Sequence, residues 1–175
     1  MLRLLFISII LFSSCIGTSN KAEKEFTDTY KVISISDGDT YTILVDNEPV
    51  RIRMHGIDAP EKGMPFYRVA KKKLSELCFG KFIKIEKIDT DQYYRMVARG
   101  FLDDGTDLNL EMIKSGLAWH YKEYSSDQTY AEAEELAKQS KIGLWIDPHP
   151  KAPWEIRKLH KQGISTKDSF SSDIR

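Results

Sequence analysis

The segment RIRMHGIDAPE, residues 51–61, sets Arg51, Arg53, His55, Asp58 and Glu61 close together. Arg51 and Arg53 are two residues apart, so on a strand they share one face. Asp58 and Glu61 follow on either side of Ala59 and Pro60. A second segment, DGDT at 37–40, places Asp39 at the start of an earlier apolar run. Two carboxylates, a backbone carbonyl and waters make an oxygen site suited to a hard divalent cation. Arginines beside such a site suit a phosphodiester, because a planar guanidinium fork matches a pair of anionic oxygens. Cation and arginines together stabilise the added charge of a pentacoordinate transition state. The segment DTDQYYRMVAR, 89–99, supplies a further arginine, Arg95, preceded by Tyr93 and Tyr94. A tyrosine there can hydrogen-bond phosphate or stack on a base. Each piece alone has a plainer reading: Asp-Gly is a common hairpin turn, and proline with acids often closes a strand. The combination is what points to chemistry.

Positioning these residues requires a small β-rich scaffold. YKVISIS (30–36), TYTILVD (40–46) and VRIRMHGI (50–57) alternate and carry β-branched residues, separated by short turns. They predict an antiparallel meander. FYRVAKKKLSELC (66–78) has Val69, Ala70, Leu74, Leu77 and Cys78 at helical spacing. KFIKIEKI (81–88) and MVARGFLDDG (96–105) predict a fourth and a fifth strand. DLNLEMIKSG (107–116) predicts a short helix. SDQTYAEAEELAKQS (126–140) predicts a third helix, with Tyr130, Ala133, Leu136 and Ala137 as its apolar face and Ser126 or Asp127 as its cap. Five strands with a helix between the third and fourth predict a mainly β, α+β fold: a five-stranded OB-type barrel with three helices. Trp119 is expected in the core, and Trp145 as a plug under the barrel. Residues 147–175, with three prolines and many charges, predict a stretched tail that is mobile beyond about Lys158.

The chain has 175 residues, enough for one domain with tails. It carries 26 basic and 26 acidic residues, which argues against a polyanion binder that works through bulk charge; any attraction to nucleic acid must be local. MLRLLFISIILFSSC, 1–15, has one charge, Arg3, and an apolar run too short to span a bilayer. It reads as a secretory signal. Ser13 and Ser14 directly before Cys15 resemble a bacterial lipobox, with Phe12 where that pattern prefers leucine. The expected organisation is a signal peptide at 1–15, a polar tether at 16–28, a domain at 29–158 and a polar tail at 159–175. The expected location is the bacterial envelope, held by a lipid on Cys15, or outside the cell. The remaining cysteine, Cys78, falls on a helix beside leucines and is expected to pack in the core.

DGDT, RIRMHGIDAPE, DQYYR, GLAWHYKEYS, GLW and PWEIRK occur in one order between residues 29 and 158. In that order they resemble the thermonuclease, or staphylococcal-nuclease-like, family. The resemblance implies an OB-fold and calcium-dependent hydrolysis of DNA and RNA phosphodiesters, with cleavage of the bond to the 5′ oxygen and 3′-phosphate products. It implies that Asp39 and Asp58 are calcium carboxylates and that Ala59 lends its carbonyl. It implies that Arg53 and Arg95 clamp phosphate, that Glu61 positions or deprotonates the attacking water, and that Tyr93 contacts substrate. His120 and Tyr121 of the WHY segment are candidates to flank a base. Two residues depart from the family pattern: Tyr94 stands where a glycine is usual, and Gln92 where a lysine is common. If the glycine position needs a positive φ, Tyr94 strains its turn. KGMPF, after Glu61, is too short for a long loop over the substrate. The rivals to a monomeric nuclease are a non-catalytic OB module that binds nucleic acid or protein, and a calcium-stabilised adhesion domain. Retention of Asp39, Arg53, Asp58, Glu61 and Arg95 favours the enzyme.

Overall fold

A computed structural model describes residues 29–165. The signal and lipobox at 1–15, with Cys15, the tether at 16–28 and the last ten residues of the tail lie outside the described residues. Five strands close into a barrel: β1 (Thr29–Ile35), β2 (Thr40–Val45), β3 (Glu48–Met54), β5 (Phe82–Thr90) and β6 (Met96–Phe101). Around the barrel the order is β1-β2-β3-β6-β5, and β1 pairs with β5 to close it. β1 to β3 form the antiparallel meander that the alternation predicts. β3 and β6 pair in parallel, a non-local join that brings Arg53 opposite Val97. Side chains of β3 alternate as expected: Ile52 and Met54 are buried, while Arg51 is exposed and Arg53 half-buried.

The barrel is filled by Val32, Tyr41, Ile43, Ile52, Met54, Ile83 and Ala98. Helix α1 (Tyr67–Cys78) covers one end with Ala70, Leu74 and Cys78, one full turn apart. Val69, expected on that face, is exposed, because it lies off this stripe. Cys78 is fully buried, donates its thiol to Leu74 O at 3.2 Å, and is pushed up to about 12 by burial, as suits a packing residue. Helices α2 (Leu108–Lys114) and α3 (Gln128–Gln139) pack together, capped by Asp107 and Asp127. On α3 the buried residues are Tyr130, Ala133, Glu134 and Ala137, while Leu136 faces outward.

Three features differ from the sequence reading. Ile57–Asp58 (β4) and Trp119–His120 (β7) form a two-stranded ribbon outside the barrel, which strands of two residues are too short to announce. Trp145 is not under the barrel. It lies in a second small cluster with Trp119, Trp154 and Phe66, where the fully covered member of the GLW segment is Leu144. Last, the chain from Pro153 to Lys161 is a fourth helix, α4, not a stretched tail. Pro153 opens it, Glu155 accepts from the Ala152 N–H at 3.0 Å, and Ile156 is buried. Proline at the first position and glutamate two residues later are helix-start signals. The helix therefore runs past the expected domain end at residue 158, and its last turn belongs to the folded unit.

Candidate active site

Asp39 is delivered by a tight turn. Ser36 N–H donates to Thr40 O at 2.9 Å, and Asp39 N–H donates to Asp37 Oδ1 at 3.1 Å. Gly38 in this turn lies against α1 and the Asp58–Ala59 segment: a Cβ there would stand 2.7 Å from Ala70 Cβ and 2.8 Å from Ala59 Cβ. The β2–β3 register sets Thr40 opposite Arg53, and Met54 N–H donates to Asp39 O at 2.9 Å. Asp39 Oδ2 then accepts from Ala59 N–H at 2.7 Å and lies 3.4 Å from Arg53 Nη1.

Asp58 is delivered by the ribbon, where it pairs with Trp119. β7 is pinned in turn by α3, because His120 N–H donates to the buried Glu134 carboxylate at 3.0 Å. The Asp58 side chain is only 2% exposed. Its Oδ1 accepts from Arg53 Nη2 at 3.0 Å, so one guanidinium bridges the carboxylates of Asp39 and Asp58. Its Oδ2 accepts from a residue the sequence reading did not single out: Arg157 of α4, at 2.7 Å. Arg157 also donates to Glu61 Oε1 at 2.6 Å. Arg157 lay within the PWEIRK segment, and the helix-start signals around it were the sequence clue to its ordered position.

Three carboxylates, Asp39, Asp58 and Glu61, thus gather around two guanidiniums, Arg53 and Arg157, and a fourth, Asp37, adjoins them by accepting the Asp39 N–H. The local surplus is two negative charges. Its effect is visible in the acids. Asp58 is pushed up to about 6, first by burial and also by Asp39, against the pull of its two arginines. Asp37 is pushed up to about 6 by burial and by the Asp39 carboxylate. A cluster that resists full ionisation on its own is chemically matched to a divalent cation with oxygen preference. Among the described residues no three His, Cys, Asp or Glu side chains are arranged as a ready-made metal cage. A hard divalent ion held by Asp39 and Asp58 would complete its shell with water and substrate oxygens.

The other candidates fall in different places. Ala59 joins the cluster through its N–H to Asp39. Tyr121 borders it: burial raises its phenol, and Arg157 and Asp58 both act on it. Its ring stacks on Trp154 at 4.9 Å and 10°. His120 is buried with its ring edge-on to Tyr130 at 5.9 Å, and it lines a surface pocket with Tyr121, Glu134 and Trp154. Arg95 and Tyr93 are not brought to the carboxylates. Arg95 pairs through Nε with Asp91 at 2.7 Å inside its own turn and lies 5.6 Å from the Tyr93 ring centroid. The turn leads directly into β6, whose parallel pairing with β3 puts it on the barrel wall that holds Arg53. Glu61 lies in a compact turn, with Met64 N–H donating to its carbonyl at 2.9 Å, as the short KGMPF segment implied.

Comparison with known proteins shows the family. A family model described as staphylococcal nuclease homologue matches residues 51–147. An uncharacterized endonuclease of Haemophilus influenzae is 36% identical over 160 residues, covering 91% of this chain and 87% of the relative. A micrococcal nuclease of Shigella flexneri is 33% identical over 145 residues, covering 77% of this chain and 83% of the relative. A probable staphylococcal-like nuclease, CAN1, of Oryza sativa is 39% identical over 115 residues, which is 66% of this chain and 34% of that protein. With the barrel, the bridged carboxylates and these relatives in agreement, the chain belongs to the staphylococcal nuclease family.

Proposed function

We propose that this protein is a calcium-dependent nuclease that hydrolyses phosphodiester bonds of DNA or RNA and leaves 3′-phosphate ends. The observation that carries the proposal is the buried Asp39–Asp58 pair bridged by Arg53, with Glu61 held beside Asp58 by Arg157. Relatives named endonuclease and micrococcal nuclease support it. Asp39, Asp58 and the Ala59 carbonyl are the candidate calcium donors. Bound calcium would supply Lewis-acid stabilisation of charge growing on the phosphate oxygens. Arg53 offers its planar fork to the same oxygens. Glu61 orients the attacking water and takes its proton as the bond to phosphorus forms. Asp91 holds Arg95 by Nε, which leaves its terminal nitrogens as donors for the phosphate or the departing 5′ oxygen. Tyr93 and Tyr121 supply rings beside the nucleotide chain. The protein acts as a monomer, is exported, and is held at the bacterial envelope by a lipid on Cys15.

The test is degradation of single-stranded DNA by the full-length protein, with calcium and with chelator. Calcium-dependent loss of substrate with 3′-phosphate ends is the expected result. Arg53→Lys keeps the charge but not the fork, and should lose most of the activity with unchanged far-UV dichroism. Activity that persists in chelator removes calcium from the proposal, and no activity under any divalent ion removes the nuclease itself. Fractionation of cells should find the protein with membranes and the Cys15→Ala variant in the soluble or unprocessed pool; identical partition of the two would exclude the anchor.

A further inference from the structure

Arg157 lies past residue 147, where the matched family segment ends, yet its contacts of 2.6 and 2.7 Å are among the shortest in the carboxylate cluster. It is not an ordinary surface pair, which would add little. One partner, Asp58, is almost wholly buried, and the same guanidinium spans two carboxylates. Nη1 bonds Glu61 Oε1 at 2.6 Å, and Nη2 bonds Asp58 Oδ2 at 2.7 Å. A planar, rigid fork so engaged fixes the relative orientation of its two partners. Glu61 needs such a partner. Its side chain is 45% exposed on a turn, and a glutamate there keeps its rotamer freedom unless something holds it.

Arg157 is itself well supported. Ala152, Pro153 and Ile156 of the same helix region are buried. Trp154 stacks on Tyr121 and meets Trp119 edge-on at 6.4 Å. The anchoring of α4 therefore does not depend on the ion pairs of Arg157. Arg157 reaches both oxygens of Asp58, Oδ2 at 2.7 Å and Oδ1 at 3.4 Å, and Arg53 shares Oδ1 at 3.0 Å, so the buried acid is held by two guanidiniums.

We propose that Arg157 is a positioning residue for hydrolysis: from α4 it holds the Glu61 carboxylate against Asp58, aimed at the attacking water before substrate arrives. The proposal deepens the nuclease reading and rests on it. Its cation also opposes metal entry, since it lies against Asp58. Positioning and metal affinity then respond in opposite directions to its removal, a pattern that loss of structure does not produce.

The test compares full-length wild type with Arg157→Gln, Arg157→Lys and Lys158→Gln, an exposed neighbour whose loss changes net charge equally. Calcium is titrated calorimetrically without substrate, and turnover is measured on single-stranded DNA. Arg157→Gln should lower kcat about 10- to 100-fold while KM stays within about threefold. The same variant should bind calcium more tightly, on the order of tenfold, because a cation beside the acids is gone. Arg157→Lys keeps the charge, so its calcium affinity should stay at the wild-type value; its turnover should stay low, because one ammonium cannot span both carboxylates. Lys158→Gln should match wild type in both. Turnover in Arg157→Gln equal to wild type would overturn the proposal, and faster turnover would identify Arg157 as a self-blocking latch instead. Joint loss of calcium affinity, turnover and melting temperature would reduce it to a structural residue. An inactive wild type would overturn the nuclease reading, which is distinct from an active wild type with an indifferent variant.

Discussion

Tyr94 is where a single residue opposes its backbone. It has φ of 58°, its side chain is 93% exposed, and its N–H donates to Asp91 O at 3.0 Å to close the turn before Arg95. A left-handed conformation crowds the Cβ of any L-residue, whereas glycine adopts it freely. Tyr94→Gly should therefore stabilise the protein by about 1 kcal/mol, seen as a higher melting temperature. KM for single-stranded DNA should stay constant, because the geometry of Asp91 and Arg95 is preserved. A raised KM with an unchanged melting temperature would show instead that the tyrosine ring stacks on substrate. This strain was legible in the sequence, since the family places glycine at this position. Arg157 was not legible as a site residue: an arginine in a charged, proline-containing segment gives no sign of which carboxylates it will meet.

At the scale of elements, the site is built where three pieces approach closely. The Gly38 turn, α1 and the Asp58–Ala59 segment meet without room for one more methyl group. Gly38→Ala should force them apart, at a cost of about 1–3 kcal/mol, and strain the 2.7 Å bond from Ala59 N–H to Asp39. Calcium affinity should fall with stability. Adding Ala70→Gly removes one of the two clashes and should recover part of the loss, limited by the penalty for glycine inside a helix, about 1 kcal/mol. A Gly38→Ala variant that melts and binds calcium like the parent would show that the turn is free to shift. The meander, α1, α2 and α3 were legible because apolar periodicity and caps are local signals. The ribbon of β4 and β7 was not, because pairing Asp58 with Trp119 reflects contact between distant segments. Helix α4 carried its own start signals, but the surrounding prolines and charges outweighed them in a reading by composition.

For the molecule as a whole, balanced net charge conceals a local imbalance. The cluster around Asp39 holds two more negative charges than positive ones, and part of the folding free energy is used to keep it together. Asp37 shows the consequence. Its folded-state pKa is about 6 against an ordinary value of 3.8, so the fold favours its protonated form. The stability this group contributes is complete below pH 3.8 and is lost as the pH rises through about 6. Asp37→Asn keeps an oxygen to accept the Asp39 N–H but removes the charge. In chelator at pH 7.5 it should be more stable than wild type by on the order of 2 kcal/mol. At pH 3.5 the advantage should vanish. Thermal melts at the two pH values check this, and an advantage that is equal at both would show that charge is not the cause.

By itself the sequence determined the five barrel strands, three of the helices, the turns that present Asp39 and Arg95, and the residue types that pointed to phosphodiester chemistry. These follow from period, turn chemistry and motif order, which act over a few residues or are carried intact along the chain. Only the tertiary structure decided how these charges pair and that Arg157 joins them. Closure of the barrel and the β4–β7 ribbon brought Asp39 to Ala59 across 20 residues, and α4 brought Arg157 to Asp58 across 99. Those encounters are set by packing of the whole fold, and buried charges separated so far along the chain leave no local pattern by which their partners can be told.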